Sequence, residues 1–256
     1  MKHKEIAKVI SQESIATGVY SMWIQTKDIA AEAVAGQFIS VYCKDGAKLL
    51  PRPISICEVN KEEGTLRIVY RVVGGGTTEM SGYVSGDDID ILGPLGNGFM
   101  QREGKKAILI GGGIGIPPMV QLGKELKEIA EVQTVAGYRD ELFLTDELEK
   151  NGDVYIATED GSTGTKGTVI DAIKACAVTG DVIYACGPTP MLRAIKEYAL
   201  ANDIECQISL EEKMVCGIGA CLGCVCKSKE KDHHTNVNNK RICKDGPVFL
   251  AQEVEL

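Results

Sequence analysis

No lysine- or arginine-rich stretch runs through this chain, and its net charge is −8. Phosphate backbones are met by basic faces, so nucleic acid is not an expected partner. Long apolar runs are missing as well. The most apolar stretch, residues 107–116, is laden with glycine and followed by Pro117 and Pro118. It is too short to span a bilayer, so no membrane is expected. The first ten residues carry charge throughout and have no apolar leader core. The expectation is a cytoplasmic protein. No internal repeat is present. The one low-complexity patch is a polar insert at 227–240, which reads as an exposed loop.

Cysteine is not scarce. Ten are present, and in a reducing compartment they are expected to be reduced or metal-bound. Cys216, Cys221 and Cys224 fall as C-x4-C-x2-C, and Cys243 follows the polar insert. That is the plant-type spacing for a [2Fe–2S] cluster. Two irons share four thiolates, so the chain must wrap the cluster closely. Gly217, Gly219 and Gly223 between the thiols permit φ > 0 and bring bare backbone N–H groups near sulfur. Such hydrogen bonds help set a reduction potential. Two other readings stay open. Four cysteines can hold zinc, although structural zinc sites use two short knuckles and Cys243 stands alone. They can also be unliganded core residues. Cys226 shares a face with Cys224 on a strand and reads as packing beside the cluster. His233 and His234 read as solvated loop, since a Rieske pair would replace two of the cysteines.

The first hundred residues read as antiparallel β. Strands are expected at 19–25, 37–42, 54–59, 64–73 and 88–92, a spacing that suggests a barrel or sandwich. Arg52-Pro53-Ile54-Ser55 stands out among them. Arginine offers a planar fork for phosphate, Pro53 stiffens the chain, and Ser55 can hydrogen-bond a ring edge. The bland alternative is an arginine at a strand end. Gly74-Gly75-Gly76-Thr77 follows directly on a strand. It is either an anion site at a helix start or a flexible turn. Together the two features suggest a phosphorylated cofactor.

Residues 94–98 read as a boundary loop, after which the rhythm changes. A strand at 105–110 leads into Gly111-Gly112-Gly113-Ile114-Gly115 and a helix at 119–130, a nucleotide-phosphate arrangement. Gly111 and Gly113 fit G-x-G-x-x-G, but Ile116 occupies the last position. Pro117 or Pro118 suits the first helical turn, where no N–H is needed. Strands at 132–138, 154–158, 181–185 and 205–210 alternate with helices at 142–150, 169–176 and 191–201. Alternation of this kind argues for a parallel sheet with ligands at the carboxyl ends of its strands. The glycine turn and Cys186-Gly187-Pro188 both lie there. Cys186 is either a cofactor-facing thiol or a core cysteine.

Taken in order, Arg52-Pro53-Ile54-Ser55, Gly74-Gly75-Gly76-Thr77, Gly111-Gly112-Gly113-Ile114-Gly115 and Cys186-Gly187-Pro188 resemble the ferredoxin–NADP reductase superfamily. In that family the first two bind FAD on a β-barrel, and the last two bind a nicotinamide dinucleotide on an α/β domain. With the four cysteines added, the chain resembles the electron-transfer subunits of type B dihydroorotate dehydrogenases. The resemblance covers essentially the whole chain. It is most specific at Cys216, Cys221 and Cys224 and at Cys243-Lys244-Asp245-Gly246-Pro247-Val248-Phe249. It is similar also to subunits of NADH-dependent ferredoxin:NADP oxidoreductases, some of which place Asp where Cys216 stands here. The all-cysteine set favours the dihydroorotate reading.

The resemblance implies an FAD-binding antiparallel β-barrel at 1–100, a parallel-sheet NAD-binding α/β domain at 101–211 and a small [2Fe–2S] domain at 212–256. Arg52, Pro53, Ile54 and Ser55 would contact FAD, with Val69, Tyr70 and Arg71 against it and Gly76 and Thr77 at its pyrophosphate. Gly111, Gly113, Gly115, Cys186, Gly187 and Pro188 would bind NAD. Cys216, Cys221, Cys224 and Cys243 would hold the cluster. A nicotinamide moves two electrons together and the cluster moves one, so a flavin must stand between them. No acid–base pair is required.

Barrel and α/β domain use about 210 residues, which leaves no room for a second flavin barrel. The implied partner is an FMN-containing dihydroorotate dehydrogenase catalytic subunit, in a heterotetramer of two of each, serving pyrimidine biosynthesis with NAD⁺ as acceptor. Two alternatives stand: an NADH reductase feeding an oxygenase or a ferredoxin:NADP oxidoreductase-like partner, and a zinc-bearing binding module. Thr158-Glu159-Asp160-Gly161 is acidic and favours NAD over NADP, with Arg139 nearby as the opposing feature.

Overall fold

The computed structural model describes residues 2–231 and 236–256. His233 and His234 lie outside the described residues. The first unit comprises β1 (His3–Ala16), β2 (Val19–Gln25), α1 (Asp28–Glu32), β3 (Phe38–Tyr42), β4 (Arg52–Asn60), β5 (Thr65–Arg71), α2 (Gly75–Met80) and β6 (Asp88–Leu95). Its strands close a barrel in the order β1-β2-β5-β4-β3-β6, every neighbouring pair antiparallel. Inward-facing Ile24, Ile39, Ile56, Ile68, Ile89 and Ile91 fill it. Such alternation lets a small barrel exclude water from its interior.

The sequence carries no strand signature for β1, and the structure shows why. Its buried positions are the small Ala7 and Val9, while Ile6 and Ile10 face outward. Its Glu5 also caps α1. The carboxylate accepts from the N–H groups of Lys27, Asp28 and Ile29 and from the Thr26 hydroxyl, all at 3.0–3.1 Å. An anion at a helix start is favourably placed.

The second unit follows with β7 (Lys106–Gly112), α3 (Pro117–Leu126), β8 (Glu131–Tyr138), α4 (Thr145–Glu149), β9 (Asp153–Thr158), β10 (Thr165–Lys166), α5 (Val169–Ala175), β11 (Val182–Cys186), α6 (Thr189–Ala201) and β12 (Glu205–Ser209). Its sheet runs β10-β9-β8-β7-β11-β12 in parallel. The chain begins in the middle at β7, winds outward through β8, and returns to the other side at β11. The β7/β11 boundary is therefore the topological switch point, where ligands of open α/β sheets sit. Helices cover both faces, Ile173 and Ile195 packing on one and Met119 and Leu148 on the other.

The C-terminal segment supplies β13 (Val225–Lys227), β14 (Asn239–Arg241), α7 (Ile242–Asp245) and β15 (Val248–Leu250). β15 pairs antiparallel with β12 and becomes the edge of the large sheet. The ends of the polar insert are paired strands rather than loop, with Val225 opposite Arg241 and Lys227 opposite Asn239. This segment also grips the barrel: the Asn97 N–H donates to the Gly246 carbonyl at 2.6 Å. Barrel and sheet are joined by Arg67 to Glu147 at 3.0 Å and by the Val59 N–H to Gln121 Oε1 at 2.8 Å. Among the described residues no helix is long and apolar enough to cross a membrane.

Candidate functional site

Two cavities flank the glycine turn after β7. The first, of about 500 Å³, is lined on the barrel side by Phe38, Arg52, Pro53, Ile54, Ser55, Val69, Tyr70, Arg71, Val73 and Thr77. Its opposite wall is Ile114, residues 209–214 and Pro247. The structure thus gathers most of the residues expected at FAD onto one wall. Gly76 lies behind them, where a Cβ would come 1.8 Å from Arg52 Nε. The Arg52 guanidinium donates through Nη1 to the carbonyls of Lys48 and Leu50. Thr77 spends its hydroxyl on its own turn, accepting from the Val73 and Gly74 N–H groups and donating to the Gly74 carbonyl.

The second cavity, of about 550 Å³, is lined by Ala16, Thr17, Arg71, Gly113, Tyr138, Arg139, Asp140, Glu141 and Phe143. Arg71 therefore stands on both walls, and the adjacent Gly113 and Ile114 face one cavity each. Tyr138 donates to the Phe143 carbonyl at 2.8 Å, and burial pushes its phenol pKa up. The acidic stretch after β9 abuts this rim through the Glu159 N–H, which donates to the Tyr138 carbonyl.

Of the residues expected at NAD, Gly113 lies on this wall. Gly111 packs on Ile116, and Gly115 packs on the Cys186–Gly187 peptide. Gly187 approaches Gly112, and Pro188 lies close by it. Cys186 is 1% exposed, and burial raises its thiol pKa while Ser209 hydrogen-bonds it. It sits behind a wall residue of the first cavity. Sequence reasoning singled out Arg139 beside the nucleotide but missed its neighbours Tyr138, Asp140, Glu141 and Phe143, and residues 209–214 with Pro247, as cavity walls. Most of them follow the carboxyl ends of β12 and β8, so the switch-point rule would have found those.

The four thiols expected as ligands lie near one another in the C-terminal segment; none of them lines the first cavity, but Lys213 and Met214 before Cys216 and Pro247 after Cys243 do. Cys221 neighbours Cys216, and Cys243 neighbours Cys224, its N–H reaching the Cys224 sulfur. No three His, Cys, Asp or Glu side chains among the described residues are grouped as for holding a metal ion. Four cysteine thiols served by backbone N–H groups are the donor set a [2Fe–2S] cluster takes. Backbone groups serve the sulfurs. The Ala220 N–H donates to Cys216 Sγ at 3.3 Å, the Gly219 N–H to Cys243 Sγ at 3.1 Å and the Cys243 N–H to Cys224 Sγ at 3.4 Å.

Burial works against the Cys216 thiolate, but hydrogen bonds from the Ile218 N–H, the Cys221 thiol and the Ala220 N–H outweigh it. Its pKa falls to about 6. Cys243 is pushed the other way, to about 12, by burial and then by its neighbour Cys224. Gly217 at φ 67° and Gly219 at φ 86° make the close wrap possible. Cys226 packs beside the site on β13.

This is the architecture of a ferredoxin-reductase-type oxidoreductase with an iron–sulfur domain added. The model of the iron–sulfur cluster binding domain of dihydroorotate dehydrogenase B matches residues 211–255. The dihydroorotate dehydrogenase B (NAD(+)) electron transfer subunit of Caldanaerobacter subterraneus subsp. tengcongensis is 42% identical over 254 residues, 99% of each chain. That of Listeria monocytogenes serovar 1/2a is 47% identical over 255 residues, covering 97% of this chain and 98% of its own. The chain belongs to this family of electron transfer subunits. Among solved structures, that of the NADH-dependent reduced ferredoxin-NADP oxidoreductase superposes with a TM-score of 0.88 at 32% identity. It covers 98% of this chain and 90% of its own.

Proposed function

We propose that this chain passes electrons between NAD and an FMN-containing dihydroorotate dehydrogenase catalytic subunit. The route runs through FAD in the first cavity and a [2Fe–2S] cluster at Cys216, Cys221, Cys224 and Cys243. One observation carries the reading. The segment that wraps the thiols also closes the first cavity: Lys213 and Met214 line it just before Cys216, and Pro247 lines it just after Cys243. An occupant of that cavity is held against the thiol loop by a few residues of the same chain. When bound, the flavin supplies an exchange of two electrons with nicotinamide and of single electrons with the cluster.

The protein's own residues position these groups. Arg52, Pro53, Ile54, Ser55, Val69, Tyr70 and Arg71 hold the flavin, with Gly76 and Thr77 at its pyrophosphate. Gly111, Gly113, Gly115, Cys186, Gly187 and Pro188 shape the nicotinamide end. Arg71, on both walls, can meet phosphate from either side. The functional parts are 1–100, 101–211 and 212–256.

Val215, Ile218 and Leu222 ring the thiols and are about half exposed. An apolar rim of this kind is what a partner subunit covers. The assembly proposed is a heterotetramer of two of each subunit, in pyrimidine biosynthesis. All ten cysteines are free, which supports a reducing, cytoplasmic setting.

Expression with and without the catalytic subunit tests the reading. NAD⁺-linked dihydroorotate oxidation is expected only with both chains, and equal activity from this chain alone would overturn it.

A further inference from the structure

The hydroxyl of Ser40 has no partner. Ser40 lies on β3 at 0% exposure, and its Oγ makes no hydrogen bond. A buried hydroxyl left unpaired is a standing cost, and each instance asks for an explanation. β3 alternates in the usual way: Ile39 and Val41 enter the barrel core, while Phe38 and Ser40 occupy the other face. Phe38 reaches the first cavity and the apolar cluster that contains Cys224 and Cys243. Ser40 sits opposite Pro53 on β4 but is not part of the cavity wall.

Ser40 faces the thiol loop. A Cβ built on Gly217 would lie 2.9 Å from Ser40 Oγ and 3.3 Å from Leu95 Cδ1. Gly217 directly follows Cys216 and takes a left-handed φ of 67°. A buried donor from the barrel is thus aimed at the first residue after a ligand thiol. Leu95 offers it no acceptor, whereas thiolate and sulfide are negatively charged acceptors. Backbone N–H groups of the C-terminal segment already donate to three of these sulfurs.

We propose that the Ser40 hydroxyl donates a hydrogen bond to a sulfur on the Cys216 side of the [2Fe–2S] cluster and raises its reduction potential. The inference rests on the cluster proposed above. Reduction adds negative charge to the sulfurs, so a fixed donor stabilises the reduced form more than the oxidised one. It also ties the potential of the cluster to the barrel that carries the flavin.

The test is a redox titration of the assembled complex. The reduced cluster is followed by electron paramagnetic resonance and the flavins by absorbance. Ser40→Ala is expected to shift the cluster's reduced-to-oxidised ratio about threefold toward oxidised, or about 30 mV at 59 mV per tenfold for one electron. The flavin couples should stay in place. Ser40→Thr keeps the hydroxyl and should titrate with the wild type. A cluster potential unmoved by Ser40→Ala, a shift confined to a flavin couple, or a Thr variant that falls with the Ala variant would each overturn the proposal. Iron, sulfide and the resonance signal are measured first on the wild type. Their absence would instead defeat the cluster, and this inference with it.

Discussion

At Gly76 an added Cβ would meet the protein's own arginine, 1.8 Å from Arg52 Nε, whereas at Gly115 it would meet backbone, 2.2 Å from the Cys186 carbonyl oxygen. The two glycine-rich turns serve neighbouring cavities, yet they need glycine for different reasons. The first clash is with the far end of a flexible side chain, which can swing aside. The second can be relieved only by moving the exit of β11. Between these extremes lies Gly113, at φ 53°, with nothing within 4 Å of its Cβ position and the second cavity in front of it. In these two turns, then, one glycine seats an arginine, one bolts two strand ends together and one leaves space for a ligand. A motif that reads as ligand binding is in good part a packing device.

Substitutions can break that comparison. Gly115→Ala should cost the most, about 3 kcal/mol of stability from overpacking against fixed backbone. Urea melts check it, and NADH-dependent dye reduction should be lost alongside. Wild-type stability would show that the turn and the β11 exit are not locked together. Gly76→Ala should leave stability within about 1 kcal/mol and weaken FAD binding roughly tenfold, near 1.4 kcal/mol. Flavin retention during dialysis measures this, and unchanged retention would remove Arg52 from the flavin site.

Gly113→Ala meets no atoms, so its cost is the left-handed backbone alone, about 1 kcal/mol. The KM for NADH should rise a few-fold with kcat little changed.

The smallest effect concerns the support beneath the first turn. Glu79 on α2 accepts from Lys48 Nζ at 2.8 Å, the Lys44 N–H at 2.6 Å and the Tyr83 hydroxyl at 3.1 Å. Burial alone would raise its pKa, but these bonds prevail and bring it to about 2, from 4.5. A carboxyl depressed in the folded state stabilises above its unfolded pKa and loses that contribution as pH falls toward the folded value. Solvent screening reduces the contribution to about 1 kcal/mol. The stability gap between wild type and Glu79→Gln should therefore be widest near pH 6 and narrow as pH drops from 5 to 3. A gap independent of pH would remove the charge from the explanation.

What the sequence reveals depends on whether a signal is local. The thiol loop, the glycine turns and Arg52-Pro53-Ile54-Ser55 are runs of adjacent residues, and their chemistry is visible in the run. In the parallel sheet β7 and β11 are nearly continuous apolar stretches and are equally visible, whereas the two-residue β10, Thr165–Lys166, is not. β1 is hidden because its larger apolar residues, Ile6 and Ile10, face solvent. β15 is hidden because three residues, Val248–Leu250, mean little until β12 lies beside them. The far wall of the first cavity, from Ser209 to Met214 with Pro247, exists only because the C-terminal segment folds back across β12. Ser40 is an ordinary strand serine until Gly217 is placed against it.

The central claim is that a flavin and an iron–sulfur cluster share this chain, with the thiol loop closing the flavin cavity. Its most direct test is a visible spectrum of anaerobically purified protein, with flavin, iron, sulfide and zinc quantified on the same sample. The account predicts a yellow-brown protein bleached by dithionite, with FAD present and iron and sulfide in equal amounts, each twice the flavin. A colourless protein holding zinc, or one without flavin, would contradict it.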